Sequence, residues 1–480
     1  MSVRIHNTFF GGAAGGGIAK ILIEPDTSYN SANNISISSV KESANNWVSN
    51  GFLIAGTLSK YSVSNQRAAL FIKLDASGNS EWAKTIGNIS SAGNVQGNDI
   101  TQQTDEDQWI LGTYTQGPYP TGIACYAQLR AANGEIIKAQ TMSNETSTGS
   151  GAAKNIEFIG ANTFITINVF DRSYPSPWSD GFIGTLNSDL TKAIETGWNS
   201  TSGPSPSGQR DDRPNDHKIC RFDDGNTLHF CFFQGGGSPS YVYFNILGHN
   251  SSLTQQFSQH TNQAYGRNMQ PANTTHAIAV FDKYNQVTAG RSYENLVYAY
   301  VSKTAGTTSV RKKLTANFGG GSEALFNSGN FCTVDMHSNG SIYALIYSST
   351  GGDNSYYILK MSADLTTIEN AAKFDNTIYK PSSTSGNSTF VLNSFNMLTD
   401  GSIAVWGNNY DSPANLGVIL IFKDDLIHPE LINVQSSAYF TLATETFSDS
   451  SGFMSATSPS RTMSNTGEAF GTVTANTTVT

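Results

Sequence analysis

The stretch GFLIAGTLSKYSVSNQRAALFIKLDASGNSEWAKTI, residues 51–86, contains the pattern that most of the chain repeats. Two apolar runs, Gly51–Thr57 and Ala68–Leu74, precede an Asp-Ala-Ser-Gly sequence and a more polar run. Asp-x-x-Gly between apolar runs favours a tight turn, because the Asp side chain bonds nearby backbone amides and Gly adopts positive φ. With the run Ile35–Ser39 before it, the stretch predicts a meander of four antiparallel strands.

Similar units follow one another along the chain. Gly134 lies 56 residues after Gly78, and Gly401 lies 61 residues after Gly340. The second strand of these units is apolar throughout, as expected for a strand that is covered on both faces, and the fourth is polar, as expected for an outer edge. This pattern is typical of propeller blades. The predicted fold is an all-β β-propeller, with seven four-stranded blades.

The propeller is predicted to span residues 35–434, between an N-terminal docking arm at 1–34 and a C-terminal β extension at 435–480. A closed ring needs a further strand in its terminal blade. Either the N-terminal strand Ala19–Ile23 or the C-terminal strand Tyr439–Thr446 is expected to supply it.

The N-terminal arm contains two aromatic residues, Phe9 and Phe10, followed by Gly and Ala residues from Gly11 to Gly17. Backbone without side chains permits close approach to another chain. We therefore regard Phe9 and Phe10 as candidate assembly contacts. A flexible N-terminus, and a loosely ordered C-terminal tail, are the alternatives.

Composition restricts the partners that the chain is expected to bind. Charged residues make up 14% of the sequence, and the net charge is -9 with a pI near 5.4. An acidic chain lacks the basic face that attracts nucleic acid, and no apolar run reaches the ~18 residues of a membrane span. Two of the four cysteines, Cys220 and Cys231, would lie diagonally across a hairpin, which is poor disulfide geometry. All four are expected to be free, buried thiols.

Catalytic and metal-binding signatures were sought and are missing from the sequence. The chain has no Asp-x-Asp-x-Asp-Gly calcium loop, no His-Glu-x-x-His or paired Cys-x-x-Cys metal motif, and no Gly-x-Ser-x-Gly elbow. We therefore expect no metal, no cofactor and no enzymatic activity. A pair of acids in the mouth of a propeller would follow no spacing rule, so a propeller glycosidase is kept as an alternative.

Binding residues are expected in loops that are longer than the usual ~4–6 residues. The loop Asn199–Asp216 contains an Arg-Asp-Asp-Arg sequence, and two other loops carry aromatic residues. Arginine and aromatic side chains make good contact anchors on rigid scaffolds. A surface insertion with self-paired charges is the alternative for the long loop. The candidate binding residues are Tyr119, Tyr174, Trp178, Arg210, Asp211, Asp212 and Arg213.

Two resemblances bear on function. The sequence Asp75-x-x-Gly78-Asn79-x-x-Trp82 resembles the Asp-Gly-Asn turn of bacterial propeller-repeat proteins, and more loosely the Trp-docking turn of quinoprotein propellers. The whole chain, with sparse charge, Gly/Ser/Thr/Asn-rich strands and unusual β tails, is similar to phage tail and virion propeller proteins.

This second resemblance implies a non-enzymatic virion structural protein of the tail, fibre or baseplate region. The expected location is the virion, assembled in the host cytoplasm. The expected partners are other virion proteins, further copies of the chain and a host surface glycan. The alternatives are a carbohydrate-binding, lectin-like propeller and, second, a propeller glycosidase.

Overall fold

In a computed structural model of the chain, every regular element among the described residues is a β-strand, in a β-propeller arrangement. The described residues are 2–10, 18–25, 33–45, 48–60, 66–87, 93–104, 108–116, 123–144, 151–171, 179–200, 210–214, 219–235, 242–261, 264–285, 292–316, 332–348, 355–375, 389–411, 414–434, 439–447, 449–451, 454–457, 461–465 and 470–479.

The strands are numbered in chain order. They are β1 (Ser2–Phe10), β2 (Ile18–Pro25), β3 (Asn33–Asn45), β4 (Val48–Lys60), β5 (Gln66–Leu74), β6 (Ser80–Ile86), β7 (Gly93–Gln102), β8 (Trp109–Gln116), β9 (Ile123–Arg130), β10 (Ile136–Asn144), β11 (Gly151–Gly160), β12 (Thr163–Asp171), β13 (Ser179–Asn187), β14 (Lys192–Ser200), β15 (Arg210–Pro214), β16 (Cys220–Arg221), β17 (Thr227–Gly235), β18 (Val242–His249), β19 (Gln255–Thr261), β20 (Ala264–Pro271), β21 (His276–Asn285), β22 (Ser292–Ser302), β23 (Thr308–Ala316), β24 (Thr333–Met336), β25 (Ile342–Ser348), β26 (Ser355–Met361), β27 (Ile368–Phe374), β28 (Thr389–Met397), β29 (Ile403–Asp411), β30 (Ala414–Phe422), β31 (Leu431–Asn433), β32 (Phe440–Thr444), β33 (Asp449–Ser451), β34 (Met454–Thr457), β35 (Arg461–Asn465) and β36 (Phe470–Val479).

The described strands form five blades of four consecutive antiparallel strands, which corrects the prediction of seven. These blades are β3–β6, β7–β10, β11–β14, β20–β23 and β24–β27. The all-β class and the propeller arrangement are confirmed.

The two remaining predicted blades are built differently. Where residues 217–258 were expected to form a blade, the inner position is divided between β15 and β16, which both pair with β17. In the last predicted blade, the expected fourth strand at residues 430–434 pairs with β27 instead. Its place beside β30 is taken by β2, because Ala19, Ile21 and Ile23 bury one face of β2 in the core, whereas β31 is short and largely exposed.

The N-terminal strand therefore closes the ring, which settles the alternative that the sequence left open. Residues 19–23 of β2 pair with β30, the strand Phe440–Thr444 pairs with β23, and β1 pairs with β2. Lys20 Nζ donates to Glu430 Oε1 at 2.8 Å across this closure, and both side chains are buried or nearly so.

The C-terminal strands run around the outer edges of the sheets, and we call β31–β36 the belt. Successive belt strands pair with β27, β23, β19, β14, β10 and β6, in reverse chain order. The last strand, β36, also pairs in parallel with β1. The belt thus covers backbone groups that would otherwise be exposed at the outer edges.

The hydrophobic core lies between neighbouring sheets. One cluster joins Leu53 and Phe71 of the first complete blade to Ile110 and Leu129 of the second, and all four side chains are buried. The four cysteines are buried and free, as predicted. Within the described ranges, no helix is long and apolar enough to cross a membrane.

The predicted turn at Asp75 is present. Asp75 Oδ1 accepts from the backbone amides of Ser77 and Asn79 at 2.9 and 2.8 Å, and Gly78 has a φ of 73°. Equivalent turns place a residue with positive φ at the same position. These residues are Gly134, Leu190, Leu253, Gly306, Leu365 and Leu426.

The same turns receive side chains from the adjacent unit. Trp82 Nε1 donates to Ala131 O at 3.0 Å, and a Cβ added at Gly134 would lie only 2.5 Å from the Trp82 ring. In other units the contact is made without tryptophan: Lys138 Nζ donates to Asp189 O at 2.9 Å. A contact between an outer strand and the turn of the adjacent unit is therefore also made where the tryptophan of the quinoprotein-like turn is missing.

Candidate functional site

The candidate site lies where the inner strands meet, and a repeated irregularity builds it. The ladders of β3, β7, β11, β20 and β28 each shift register near the middle, which leaves one extra residue. Such β-bulges bend a strand and re-aim a side chain. The extra residues are Ser38, Asn98, Lys154, Arg267 and Asn393.

Four of these residues line one cavity of about 490 Å³, which we call the central cavity. Strands β3, β7, β11, β20, β24, β28 and β29 contribute to its wall. Hydroxyl and amide side chains dominate the lining. They are Ser36, Ser38, Ser39, Asn98, Asn155, Gln270, Asn393, Ser394, Asn396 and Asn408.

Asp99 is the most heavily engaged charged group of the lining. Its carboxylate accepts from Ser39 Oγ at 2.6 Å, from Lys41 Nζ at 2.7 Å and from the backbone amide of Ile156 at 2.8 Å. Lys41 Nζ also donates to Ile156 O at 2.5 Å. Asp99 thereby ties three inner strands, β3, β7 and β11, to one another.

Carboxamides connect strands of adjacent units in the same way elsewhere. Asn408 Oδ1 accepts from the amide of Ile37 at 2.8 Å, and Asn268 Oδ1 accepts from the amide of Val334 at 3.1 Å. Charge-neutral side chains with both donors and acceptors can satisfy backbone groups that face the axis. These bonds hold the strands of adjacent units to one another.

Two further carboxylates of the lining are held by backbone amides. Glu42 Oε2 accepts from the amide of Thr399 at 2.9 Å, and Glu42 Oε1 accepts from Thr399 Oγ1 at 2.8 Å. Asp335 Oδ1 and Oδ2 accept from the amides of Met336 and Met397, at 2.9 and 3.3 Å. The remaining charged lining residues are Lys154, which is exposed, and Glu157, which is half-buried.

Two buried polar atoms of the wall have unused hydrogen-bonding capacity. Gln270 Nε2 and Ser394 Oγ are buried and have no hydrogen-bond partner among the described residues. Leaving a buried polar atom unsatisfied is costly. A ligand with hydroxyl groups offers both donors and acceptors that match such atoms.

Arg267, the fifth extra residue, forms an ion pair with Asp282 away from the central cavity. Burial raises the pKa of the nearby Tyr298 hydroxyl, and burial together with Asp282 raises the pKa of the Cys332 thiol. A buried thiol that stays protonated is a poor nucleophile. Among the described residues, no group of three or more His, Cys, Asp or Glu side chains could hold a metal ion.

The predicted binding residues do not lie in the described wall of this cavity. Tyr119, Tyr174 and Trp178 lie outside the described residues. Residues 210–213 form most of β15, where Asp212 pairs with Phe233 of β17 and with Asp180 of β13. Their role in binding stays a prediction.

The candidate assembly residues Phe9 and Phe10 end β1, opposite Ala19 and Ile18 of β2. The arm predicted at residues 1–34 thus has two strands that pair within the chain. Docking of these residues on another chain stays a prediction.

Sequence reasoning missed the residues of the central cavity, although a signal for them exists. Two adjacent polar residues interrupt the inner strand at the bulge, where a buried strand is expected to be apolar. Asn98-Asp99 lies 60 residues after Ser38-Ser39, and Lys154-Asn155 follows after another 56. A repeated polar pair at blade spacing therefore identifies the cavity.

Comparisons with known proteins gave structural likeness only. No protein-family model and no curated protein sequence matches the chain. Polysaccharide lyase Uly1 is similar at 10% identity and a TM-score of 0.35, over 68% of this chain and 90% of that chain. The phage phi92 endosialidase is similar at 9% identity and a TM-score of 0.34, over 86% of this chain and 75% of that chain.

These comparisons correct one prediction and leave another without sequence support. The prediction that the chain is not an enzyme is contradicted, because the named neighbours are a lyase and an endosialidase. A phage protein is among the neighbours, but no sequence match bears on the resemblance to phage tail proteins.

Proposed function

We propose that the protein binds carbohydrate in the central cavity. The observation that carries this proposal is a cavity of about 490 Å³ with a wall of hydroxyl and amide side chains. Its volume lies in the usual range of small-ligand pockets, ~300–1,000 Å³. Sugar hydroxyls donate and accept hydrogen bonds, as do Ser hydroxyls and Asn and Gln amides. Trp406 also lines the cavity and supplies apolar area beside these polar groups.

Gln270 and Ser38 allow a direct test. Glycan-array screening of the full chain, followed by calorimetry with the best oligosaccharide, should give saturable binding. Gln270→Ala should weaken it about tenfold through loss of one hydrogen-bonding amide. Ser38→Tyr should block it, because Ser38 projects at the bulge of β3.

Matched controls separate binding from folding. Gln256→Ala and Ser338→Tyr change exposed residues outside the cavity. Both controls should bind like the unchanged chain. Equal affinity in Gln270→Ala, Ser38→Tyr and the unchanged chain, with all three folded, would refute binding at this cavity.

Cleavage of the bound glycan is a second candidate function. It is favoured by Glu157 and Asp335, two half-buried carboxylates that line the same cavity. Glycosidic hydrolysis generally needs one carboxyl group as acid and a second as base or nucleophile. Incubation with each glycan that binds, followed by chromatography of the products, should show cleavage that Glu157→Gln or Asp335→Asn abolishes. Intact glycan after long incubation with the unchanged chain would exclude this function.

We propose a virion as the setting, with other virion proteins and further copies of the chain as partners. Support comes from the sequence composition that is similar to phage tail and virion propeller proteins. A tagged chain should co-purify with particles and label their tail region in electron micrographs. Particles free of the tagged chain would contradict this setting and would leave glycan binding unaffected.

A further inference from the structure

Most charged groups of the central cavity are bound to one another or to backbone: Lys41 binds Asp99, and Asp99, Glu42 and Asp335 accept from backbone amides. From this arrangement we infer that the cavity accepts neutral sugars and discriminates against glycans that carry carboxylates. The inference rests on the proposed glycan binding and specifies its substrate class.

The cations of the lining offer little attraction to an acidic sugar. Lys41 Nζ is bound to Asp99 Oδ2 at 2.7 Å and to Ile156 O at 2.5 Å. Only 22% of the Lys41 side chain is exposed. A lysine that already neutralises a buried carboxylate offers little attraction to a second one. Lys154, the other cation of the lining, is exposed and is outnumbered by the four carboxylates of the wall.

The wall of the central cavity carries a net negative charge. Two lysines stand against Glu42, Asp99, Glu157 and Asp335, which leaves an excess of two negative charges. The whole chain is also acidic, with a net charge of -9. An incoming carboxylate therefore meets repulsion from the wall and from the molecule, and this repulsion is strongest at low salt.

The wall offers mainly uncharged hydrogen-bonding groups to a ligand. Of the four bulge residues that line the cavity, Ser38, Asn98 and Asn393 are neutral, and the fourth is Lys154. Amides and hydroxyls bind sugar hydroxyls without a charge requirement. Repulsion of acidic sugars and hydrogen bonding to neutral ones together give the selectivity.

The test uses the best neutral oligosaccharide from the array and the same oligosaccharide with its primary alcohols oxidised to carboxylates. Calorimetry with the full chain at 20 mM salt should show at least about tenfold weaker binding of the oxidised form. At 500 mM salt the difference should narrow, while binding of the neutral form should be independent of salt.

Glu157→Gln provides a second readout, because it removes one negative charge from the wall. It should raise the affinity for the oxidised form relative to the neutral form by about threefold at 20 mM salt. Glu369→Gln, at an exposed position of β27 outside the cavity, should leave this ratio unchanged.

The outcomes distinguish the two proposals. Tighter binding of the oxidised form at 20 mM salt, with loss at 500 mM salt, would overturn the neutral-sugar inference and support glycan binding. An affinity ratio near one at both salt concentrations would also overturn it. No binding of either form, and none across the array, would refute the proposed function itself.

Discussion

At the scale of single residues, four leucines adopt a conformation that usually belongs to glycine. Leu190, Leu253, Leu365 and Leu426 have φ between 56° and 65°, and all four are buried. A left-handed backbone costs a non-glycine residue roughly 1–2 kcal/mol. Burial of a leucine side chain stabilises the fold by about 1.5–3 kcal/mol, which offsets that cost.

At Leu365 we therefore expect the glycine variant to be more stable than the alanine variant, which reverses the usual order of stability. Leu365→Ala loses the side chain and keeps the backbone cost, whereas Leu365→Gly loses the side chain and relieves that cost. Leu365→Gly should be the more stable variant by about 1 kcal/mol in urea unfolding.

Leu359 is the matched control, because it is buried and has no positive φ. There glycine should be the less stable variant by about 0.5–1 kcal/mol. The same order of stability of the Ala and Gly variants at Leu365 and Leu359 would contradict the proposal that burial offsets a backbone cost at Leu365.

Two buried histidines should make stability depend on pH. The rings of His229 and His249 stack with centroids 4.9 Å apart. Burial, with a smaller contribution from His249, lowers the pKa of His229 well below 6.5, and burial lowers that of His249 to about 4. The unfolded chain thus binds more protons than the folded chain between pH 6.5 and about 4.

The free energy of unfolding should consequently be unaffected by these groups above pH 7 and should fall as the pH drops below 6.5. Each histidine contributes a slope of up to about 1.4 kcal/mol per pH unit. His249→Phe keeps a ring beside His229 and should flatten the slope measured by urea unfolding between pH 6.5 and 4.5. An unchanged slope would show that His249 titrates alike in both states.

At the scale of elements, the outer strands β6 and β10 are each fastened to a turn of the adjacent unit. Trp82 is 5% exposed and combines a hydrogen bond to Ala131 O with close packing on Gly134. Lys138 makes only the polar part of the equivalent contact, at an exposed site. The energy of the junction should therefore depend on the apolar ring more than on the hydrogen bond.

Thermal and urea unfolding of three variants test this expectation. Trp82→Phe keeps most of the ring and should cost about 1 kcal/mol for the lost hydrogen bond. Trp82→Ala should cost about 3–5 kcal/mol, because it leaves a cavity. Lys138→Met should change stability little. A Phe variant as unstable as the Ala variant would show that the hydrogen bond dominates.

At the scale of the whole molecule, the belt converts outer edge strands into covered ones. Its strands pair with β27, β23, β19, β14, β10 and β6. Arg311 reinforces one attachment through Asp449, at 2.9 Å. Exposed edges favour pairing between molecules, so the belt should protect against self-association.

Truncation after Val434 should lower the midpoint of thermal unfolding by on the order of 10 °C. The truncated chain should also self-associate in sedimentation analysis, because several outer edges become free. A chain that ends at Asn465 loses only β36 and should show intermediate behaviour. A monomeric truncated chain with an unchanged midpoint would contradict a protective belt.

How much the sequence predicts depends on whether a feature is local. The Asp75–Gly78 turn and the strands around it depend on contacts between residues that are close in sequence, so a few residues are enough to predict them. The leucine turns escape notice, because leucine is not a turn residue and only tertiary burial offsets its conformation. The pairing of residues 461–465 with β10 spans more than 300 positions and leaves no mark in either segment.

The reversed order of the belt has a consequence for biosynthesis. Among the described strands β36 is synthesised last, and it pairs with β6 of the first complete blade. The other blades that pair with the belt likewise emerge with their outer edge open, and each edge stays open until its belt strand has been synthesised. The nascent protein therefore has the most open edges just before β31 emerges, and chaperone occupancy of the nascent chain should peak there.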